Sequence, residues 1–274
     1  MTPAQRTKAV NAALRAQLTR RRELQVYLYD DIVTLLEKAL MALDTQLATL
    51  PTEYQVWHIQ QVQKNIERTL LDLGADAAVK VREGANAAWQ AGIDLVDAPL
   101  NAGGINLAGR VQAVNVQQLE AIKTFMVERI TDINVVAAQK IKEQLGLVVV
   151  GVNDPYKARA AIAKHLEGNA ASRARTIVNT EMGRLYSTAN QERMAQAQKA
   201  VPGLKKKWRR SNRKDPRASH AAAHGQVQPV DQPFSIGGIL MMYPHDPAAP
   251  LEEVINCGCI QVPHMDEWPE SIAS

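Results

Sequence analysis

The sequence predicts a mainly α protein, with a bundle of long helices over residues 1–150 followed by a small α+β domain over residues 151–274. Three observations lead there. Apolar residues recur at steps of three and four through most of the first 145 positions, the spacing that puts side chains on one helix face. Nine of the 13 prolines and four of the six histidines fall in the last quarter, from Pro202 onward. The apolar complement, 46% of the chain, is aliphatic, with only 2 Phe, 4 Trp and 6 Tyr. At 274 residues the chain has room for about two domains of roughly 150 residues each.

The first helix is expected from about Ala4 to Thr49, carrying the stripe Leu28, Ile32, Leu35, Leu36, Leu40, Leu43, Leu47 and Leu50. That stripe suits an intramolecular core or a docking face, and periodicity alone does not separate the two. Pro51 ends the helix, because proline disfavours helical geometry in the residue before it. Thr52 and Gln55 form a capping box that opens a second helix with Val56, Ile59, Val62, Ile66, Leu70 and Leu73 along one side. Gly74 separates this from an Ala-rich third segment, Ala75 to Val96. The short connection around Leu50 and Pro51 makes the first two helices antiparallel neighbours.

Pro99, the pair Gly103-Gly104 and Gly109 mark Ala98 to Gly109 as a loop. A further helix is expected from about Val116 to Leu145, stopped by Gly146, with Leu119, Ile122, Met126, Ile130, Ile133, Ala137 and Ile141 on its apolar face. Val148 to Val152 reads as a short strand or a linker. Asn153-Asp154-Pro155 starts a new helix that runs to Gly168, and another follows from Ser172 to Ala200. Beyond Pro202-Gly203, Leu204–Arg210, Ile236–Tyr243 and Ile260–Pro263 are the expected strands.

Several classes are excluded by composition. Cys257 and Cys259, one residue apart, do not make a disulfide scaffold. The longest apolar run, Leu145 to Val152, falls far short of the ~18 residues that span a bilayer, so no membrane association is expected. The first residues lack the apolar segment of a secretory signal, which points to synthesis and retention in the cytoplasm. No Gly-x-Ser-x-Gly elbow, Walker loop or His-Glu-x-x-His is present.

The net charge of +4 hides an uneven distribution. Met1 to Arg22 holds six basic residues and no acid, and Lys205 to Arg217 holds eight basic residues and one acid, Asp215. The rest of the chain is net acidic. Two basic patches on an acidic background are the footprint of a phosphate-bearing or acidic partner. In the second patch, Lys205, Lys206, Lys207, Arg209, Arg210, Arg213, Lys214 and Arg217 are the candidates for contacting nucleic acid through phosphates, without reading sequence. Within it, strand alternation turns Trp208 to the same side as Lys206 and Arg210, and Trp208 is read as a core anchor.

The tail also gathers metal-ligand types. His220 and His224, at i,i+4 spacing on a helix, and Cys257 and Cys259 form a candidate tetrahedral zinc set, with His245 and His264 as spares. The alternative is that the cysteines are small buried residues and the histidines satisfy backbone groups, with no cofactor. A hydrolytic site from Asp215, His220 and the Glu252-Glu253 pair needs a base and its partner at hydrogen-bond distance, which spacing does not supply.

From about Asp154 to Pro263 an ordered series of segments resembles the phage head morphogenesis family, the Mu F-like or SPP1 gp7-like minor head proteins. The series begins with Arg175-Thr-Ile-Val-Asn-Thr180-Glu181, then Lys206-Lys207-Trp208, then Asp215-Pro-Arg217-Ala-Ser-His220 followed by Gly225. Pro233-Phe234, Tyr243-Pro-His-Asp246-Pro247 and Glu253-Val-Ile-Asn256-Cys257-Gly-Cys259 complete it. The resemblance makes Thr180, Glu181, Trp208, Asp215, Arg217, His220, Asp246, Asn256, Cys257 and Cys259 the motif positions that build the domain. Asn179 and Gly258 stand where the family usually has arginine. The helical half matches only in general character.

The resemblance implies a non-enzymatic minor head protein of a tailed bacteriophage, made in the host cytoplasm and lying inside the head near the portal vertex. Its implied partners are the phage portal protein, capsid or scaffold proteins, and double-stranded DNA bound non-specifically. The competing reading is a zinc-binding enzyme or toxin-like module that uses the His/Cys tail, because this domain type is also found joined to effector domains.

Overall fold

The computed structural model describes residues 1–48, 56–108, 110–149, 152–153, 155–211 and 215–267. It is mainly helical and ends in a small region of short antiparallel strands, as the sequence predicts. In chain order the elements are α1 (Pro3–Ala48), α2 (Val56–Ala102), α3 (Gln117–Val149), α4 (Pro155–Lys164), a π-helical turn (His165–Ala170) and α5 (Ala171–Ala200). Then follow β1 (Lys205–Arg209), α6 (Ala218–Ala222), β2 (Val227–Pro229), β3 (Phe234–Ile236), β4 (Ile239–Met241), α7 (Leu251–Val254) and β5 (Ile260–His264). No helix among the described residues is long and apolar enough to cross a membrane.

The chain forms two compact units, each assembled from separated segments. One combines residues 26–83 and 123–178, and the other combines 1–25, 84–122 and 179–274. Apart from Val152 and Asn153, the described residues of the first are helical. Leu28, Ile32 and Leu36 of α1, Ile66, Leu70 and Leu73 of α2, and Met126, Ile130, Ile133, Ala137 and Ile141 of α3 are all buried. Ile32, Leu36, Leu73, Ala77, Ile130 and Ile133 line one small gap, so the stripes of three helices converge on one core. Leu28, Ile32 and Leu36 of the α1 stripe are therefore core, while Leu35 and Leu40 are half-buried. Leu43, Leu47, Leu50, Pro51, the Thr52–Gln55 capping box, and Val56, Ile59 and Val62 lie outside the described side chains.

The second unit has the strands. A three-stranded antiparallel sheet has the order β2-β1-β5, with Lys205 opposite Pro229 and His264 and Lys207 opposite Val227 and Val262. Along β1 burial alternates, so Lys206 and Trp208 face inward. One core of this unit joins Val10 and Leu14 of α1, Leu95, Val96 and Leu100 of α2, Tyr186, Met194 and Ala197 of α5, and Ile260 and Val262 of β5. A second core gathers Trp208, Phe234, Ile236, Met241, Val254, Cys257 and Cys259. At the chain's start Thr2 and Gln5 form a capping box, each backbone N–H donating to the other's side chain.

Five expected boundaries shift, four of them where helical structure runs on past a local stop signal. Gly74 and Pro99 lie inside α2 and do not interrupt it. Pro99 sits in the last turn, where Leu95, Val96 and Leu100 are fully enclosed and hold the helix against its core. The helix ends instead at the glycine pair, with Gly104 in the left-handed region at φ 90. Gly146 likewise keeps helical geometry, and α3 continues to Val149. The helices expected on either side of Gly168 are one helical path joined by the π turn, since an extra residue per turn absorbs the glycine without breaking the run. Finally, Ile236–Tyr243 is not one strand. Gly237 and Gly238, at φ 59 and 90, make a two-residue hairpin between β3 and β4, a turn that requires positive φ.

Candidate functional site

The C-terminal polar residues meet at one buried point of the second unit. α6 presents His220, and the turn between α7 and β5 presents Cys257 and Cys259. The His220 Nδ1 stands 3.3 Å from Cys259 Sγ and 3.5 Å from Cys257 Sγ. The three ligand atoms lie within 4.8 Å of one another, and each residue is only 2% exposed. On its other side the ring donates from Nε2 to Glu253 Oε2 at 2.6 Å, with Glu253 brought in by α7. The Cys259 N–H points at Cys257 Sγ at 3.4 Å. The Trp208 ring meets His220 edge-on at 5.7 Å between centroids and closes the site on that side.

The electrostatics of the cluster are polarised. Hydrogen bonding from the Cys259 thiol, against the cost of burial, and from His220 pulls Cys257 well below the ordinary thiol range. Cys259 is pushed the other way by its bond to Cys257 and by burial. Burial works against a charged His220, yet its contacts with Cys257 and Glu253 outweigh that and raise its pKa. The arrangement stabilises a thiolate beside an imidazole that a carboxylate holds in place.

Sequence spacing predicted part of this group. Cys257, Cys259 and His220 come together as proposed from residue type, while His224 does not join them. α6 spans only Ala218–Ala222, so the i,i+4 face needed to align the two histidines ends before His224. Its Nδ1 instead accepts the Arg210 N–H at 3.3 Å. Glu253 pairs with His220, whereas Asp215 and Glu252 are exposed, so the four groups weighed as a hydrolytic set do not come together. His264 approaches Asp266 at 3.7 Å. His245 is fully buried at φ 66, and burial lowers its pKa to about 4.

The motif residues hold the cysteine turn in place. Asn256, in the left-handed region at φ 54, donates its backbone N–H to Thr180 Oγ1 at 3.0 Å. Its side chain accepts from Asn179 Nδ2 at 3.4 Å. Glu181, one position on in α5, takes Arg184 at 2.9 Å. Asp246 closes its own loop, accepting from the N–H groups of Met242 at 2.7 Å and Ala248 at 2.9 Å. At Gly258 the carbonyl accepts from Arg21 of α1 at 3.4 Å, and the same guanidinium lies 5.1 Å over the Tyr186 ring. An arginine thus serves the cysteine turn from a distant part of the sequence, a contact that no local motif signals.

The basic segment is less uniform than its sequence. Trp208 is a core residue with 0% exposure, as alternation predicts, and packs edge-on against Phe234 at 5.3 Å. The same alternation buries Lys206, which removes it from the phosphate-contacting set. Its Nζ donates to the Met242 carbonyl at 2.6 Å and lies 5.0 Å over the Phe234 ring, and burial lowers its pKa to about 8. Lys205 pairs with Asp266 at 2.7 Å, and Arg217 donates to the Ile255 carbonyl at 2.7 Å. Lys207, Arg209 and Arg210 are half-exposed, and Arg213 and Lys214 lie outside the described residues.

This framework, a Thr-Glu helix followed by a basic-Trp strand and a His-Cys-Cys junction, lies in a segment that is similar to a known family. Residues 138–262 match the family described as phage Mu protein F like protein, a segment from within α3 to within β5 and a little under half of the chain. Among curated proteins, the uncharacterized protein YqbB of Bacillus subtilis (strain 168) is 39% identical over 99 residues, which cover 34% of this chain and 31% of that one. The chain therefore spans about a third of that relative's length. No solved structure matches the chain.

Proposed function

We propose that this protein acts in head morphogenesis of a tailed bacteriophage, as a minor structural protein inside the head, associated with the portal and contacting packaged DNA without reading its sequence. The observation that carries the reading is the Mu F-like match over residues 138–262. The surface charge supports the DNA contact. Lys8, Arg15, Arg20 and Arg22 are exposed on α1, and Lys207, Arg209 and Arg210 are half-exposed around β1. Such cations neutralise phosphates wherever the duplex presents them. The reading of the same domain as a zinc-dependent enzyme or toxin-like module has less support, because its metal-ligating groups are enclosed and Glu253 is engaged by His220.

Co-purification with a portal protein of a tailed bacteriophage tests the assignment. The full chain is expected to capture the portal, and failure of a folded chain to do so would overturn the portal association. DNA binding is tested by salt dependence, with an expected log–log slope of about −0.9 for each phosphate neutralised. Replacing Lys205, Lys207, Arg209 and Arg210 by Glu should flatten that slope, and an unchanged slope would remove this segment from the contact.

A further inference from the structure

We propose that His220, Cys257 and Cys259 bind one zinc ion and that Glu253 positions His220 for it. Three features of the geometry lead to this site. The first is spacing. Zinc bonds of about 2.3 Å to sulfur and about 2.0–2.1 Å to nitrogen, at a tetrahedral angle, set a ligand nitrogen and sulfur about 3.6 Å apart. The His220 Nδ1 stands 3.3 and 3.5 Å from the two sulfurs. One imidazole nitrogen facing two sulfurs at those distances has the ligand-to-ligand geometry of a thiolate–imidazole zinc centre.

The second feature lies outside the ligands. A zinc-bound histidine usually donates its remaining ring N–H to a carboxylate or carbonyl, which fixes the tautomer and aims the free nitrogen at the metal. Here the Nε2 side is taken by Glu253 at 2.6 Å, so Nδ1 is the nitrogen left with its lone pair toward the sulfurs. The third is charge. Two thiolates and a divalent cation sum to zero, so the metal and its sulfur ligands add no net charge to a pocket where each ligand residue is 2% exposed, and the Glu253 carboxylate beside them reaches solvent. The donor set supplies three of four tetrahedral positions.

The site lies at a structural junction. His220 comes from α6 and the cysteines from the turn before β5, and both pack under Trp208 of β1. A metal here ties α6 to the turn before β5, two short segments that have few residues with which to hold one another. Its role is structural, and its binding free energy is folding free energy for this end of the chain. The inference stands apart from the phage-head reading, since zinc content does not depend on capture of the portal.

The test uses the full chain purified under reducing conditions. Metal analysis is expected to give one zinc per chain. Exchange for Co(II) is expected to produce a sulfur-to-cobalt charge-transfer band together with the visible bands of a tetrahedral centre. The Cys257→Ser/Cys259→Ser double variant should lose both signals, and Glu253→Gln should keep the charge-transfer band while weakening zinc affinity about 10–100-fold. Should the double variant fail to fold, the wild-type cobalt spectrum and the Glu253→Gln affinity decide alone. A folded wild-type chain that shows no charge-transfer band with excess Co(II), or a band that persists without the two cysteines, would overturn the proposal.

Discussion

The cores of the two units are built from different materials. The helical unit buries Leu, Ile and Met at helical spacing, on stripes from α1, α2 and α3. The core under Trp208 in the second unit buries two cysteines among its aromatic and aliphatic residues. Around it lie Lys206, His220, His245 and Gln261, all at 2% exposure or less. An aliphatic core is held by area removed from water, which is non-directional and tolerates small shifts. A core of titratable and polar groups depends on particular distances, because each polar group needs its own partner. The second kind should therefore be the more brittle, and three measurements rank that difference.

The largest effect is expected at Gly183 of α5. A Cβ there would sit 2.3 Å from the His245 Nε2 and 2.5 Å from its Cε1, and that ring is fully buried. Gly183→Ala is expected to cost at least the upper end of the about 1–3 kcal/mol typical of overpacking, read from chemical denaturation. A loss below about 1 kcal/mol would mean that His245 has somewhere to go and that this core is less rigid than its packing implies.

A smaller effect should come from Lys206. Its pKa is lowered by burial from 10.5 to about 8, against the opposing pull of Asp231 and Asp246. Between those values the unfolded chain binds a proton that the folded chain has released, so stability rises with pH. The gain begins near pH 8. Above about 10 it is opposed by Tyr186 and Tyr243, whose phenols burial keeps protonated beyond their ordinary value of 10.0. From pH 8 to 10 the wild type is expected to gain about 2 kcal/mol relative to Lys206→Met. Parallel pH profiles for the two proteins would show that the Lys206 amine keeps its proton across this range.

The same contrast explains how much could be read from sequence. Helical stripes report burial directly, so the apolar faces of α1 and α3 were legible wherever side chains are described. The helix ends were not, because Pro99 and Gly74 are punctuation only until a core holds the chain through them. Within the candidate site, residue type brought Cys257, Cys259 and His220 forward, and alternation put Trp208 inside. That alternation also implied the burial of Lys206, a consequence masked by a run of like charges that reads as surface. His224 failed because i,i+4 pairing needs a helix longer than the five residues of α6. Glu253 came forward beside His220 only as one of a pair of acids that spacing does not tell apart, and Arg21, 237 residues from Gly258, leaves no local signal.

The smallest effect, and the sharpest check on the comparison, is at Gly74 in α2. A Cβ at this position meets only the Asn134 Nδ2 of α3, at 3.3 Å. That contact is tight, but it is with the end of a side chain and not with backbone, and Asn134 Nδ2 has no hydrogen-bond partner to lose. Gly74 is helical, so alanine there gains up to about 1 kcal/mol of helix propensity. The small cost of moving an amide by a few tenths of an ångström leaves Gly74→Ala neutral to stabilising by up to about 1 kcal/mol. Gly74→Ala and Gly183→Ala are the same chemical change in two helices, so propensity cancels between them and the remaining difference measures the slack in each core. A destabilisation at Gly74 comparable with that at Gly183 would show that the helical unit is packed as tightly as the polar core, and the distinction between the two would fall.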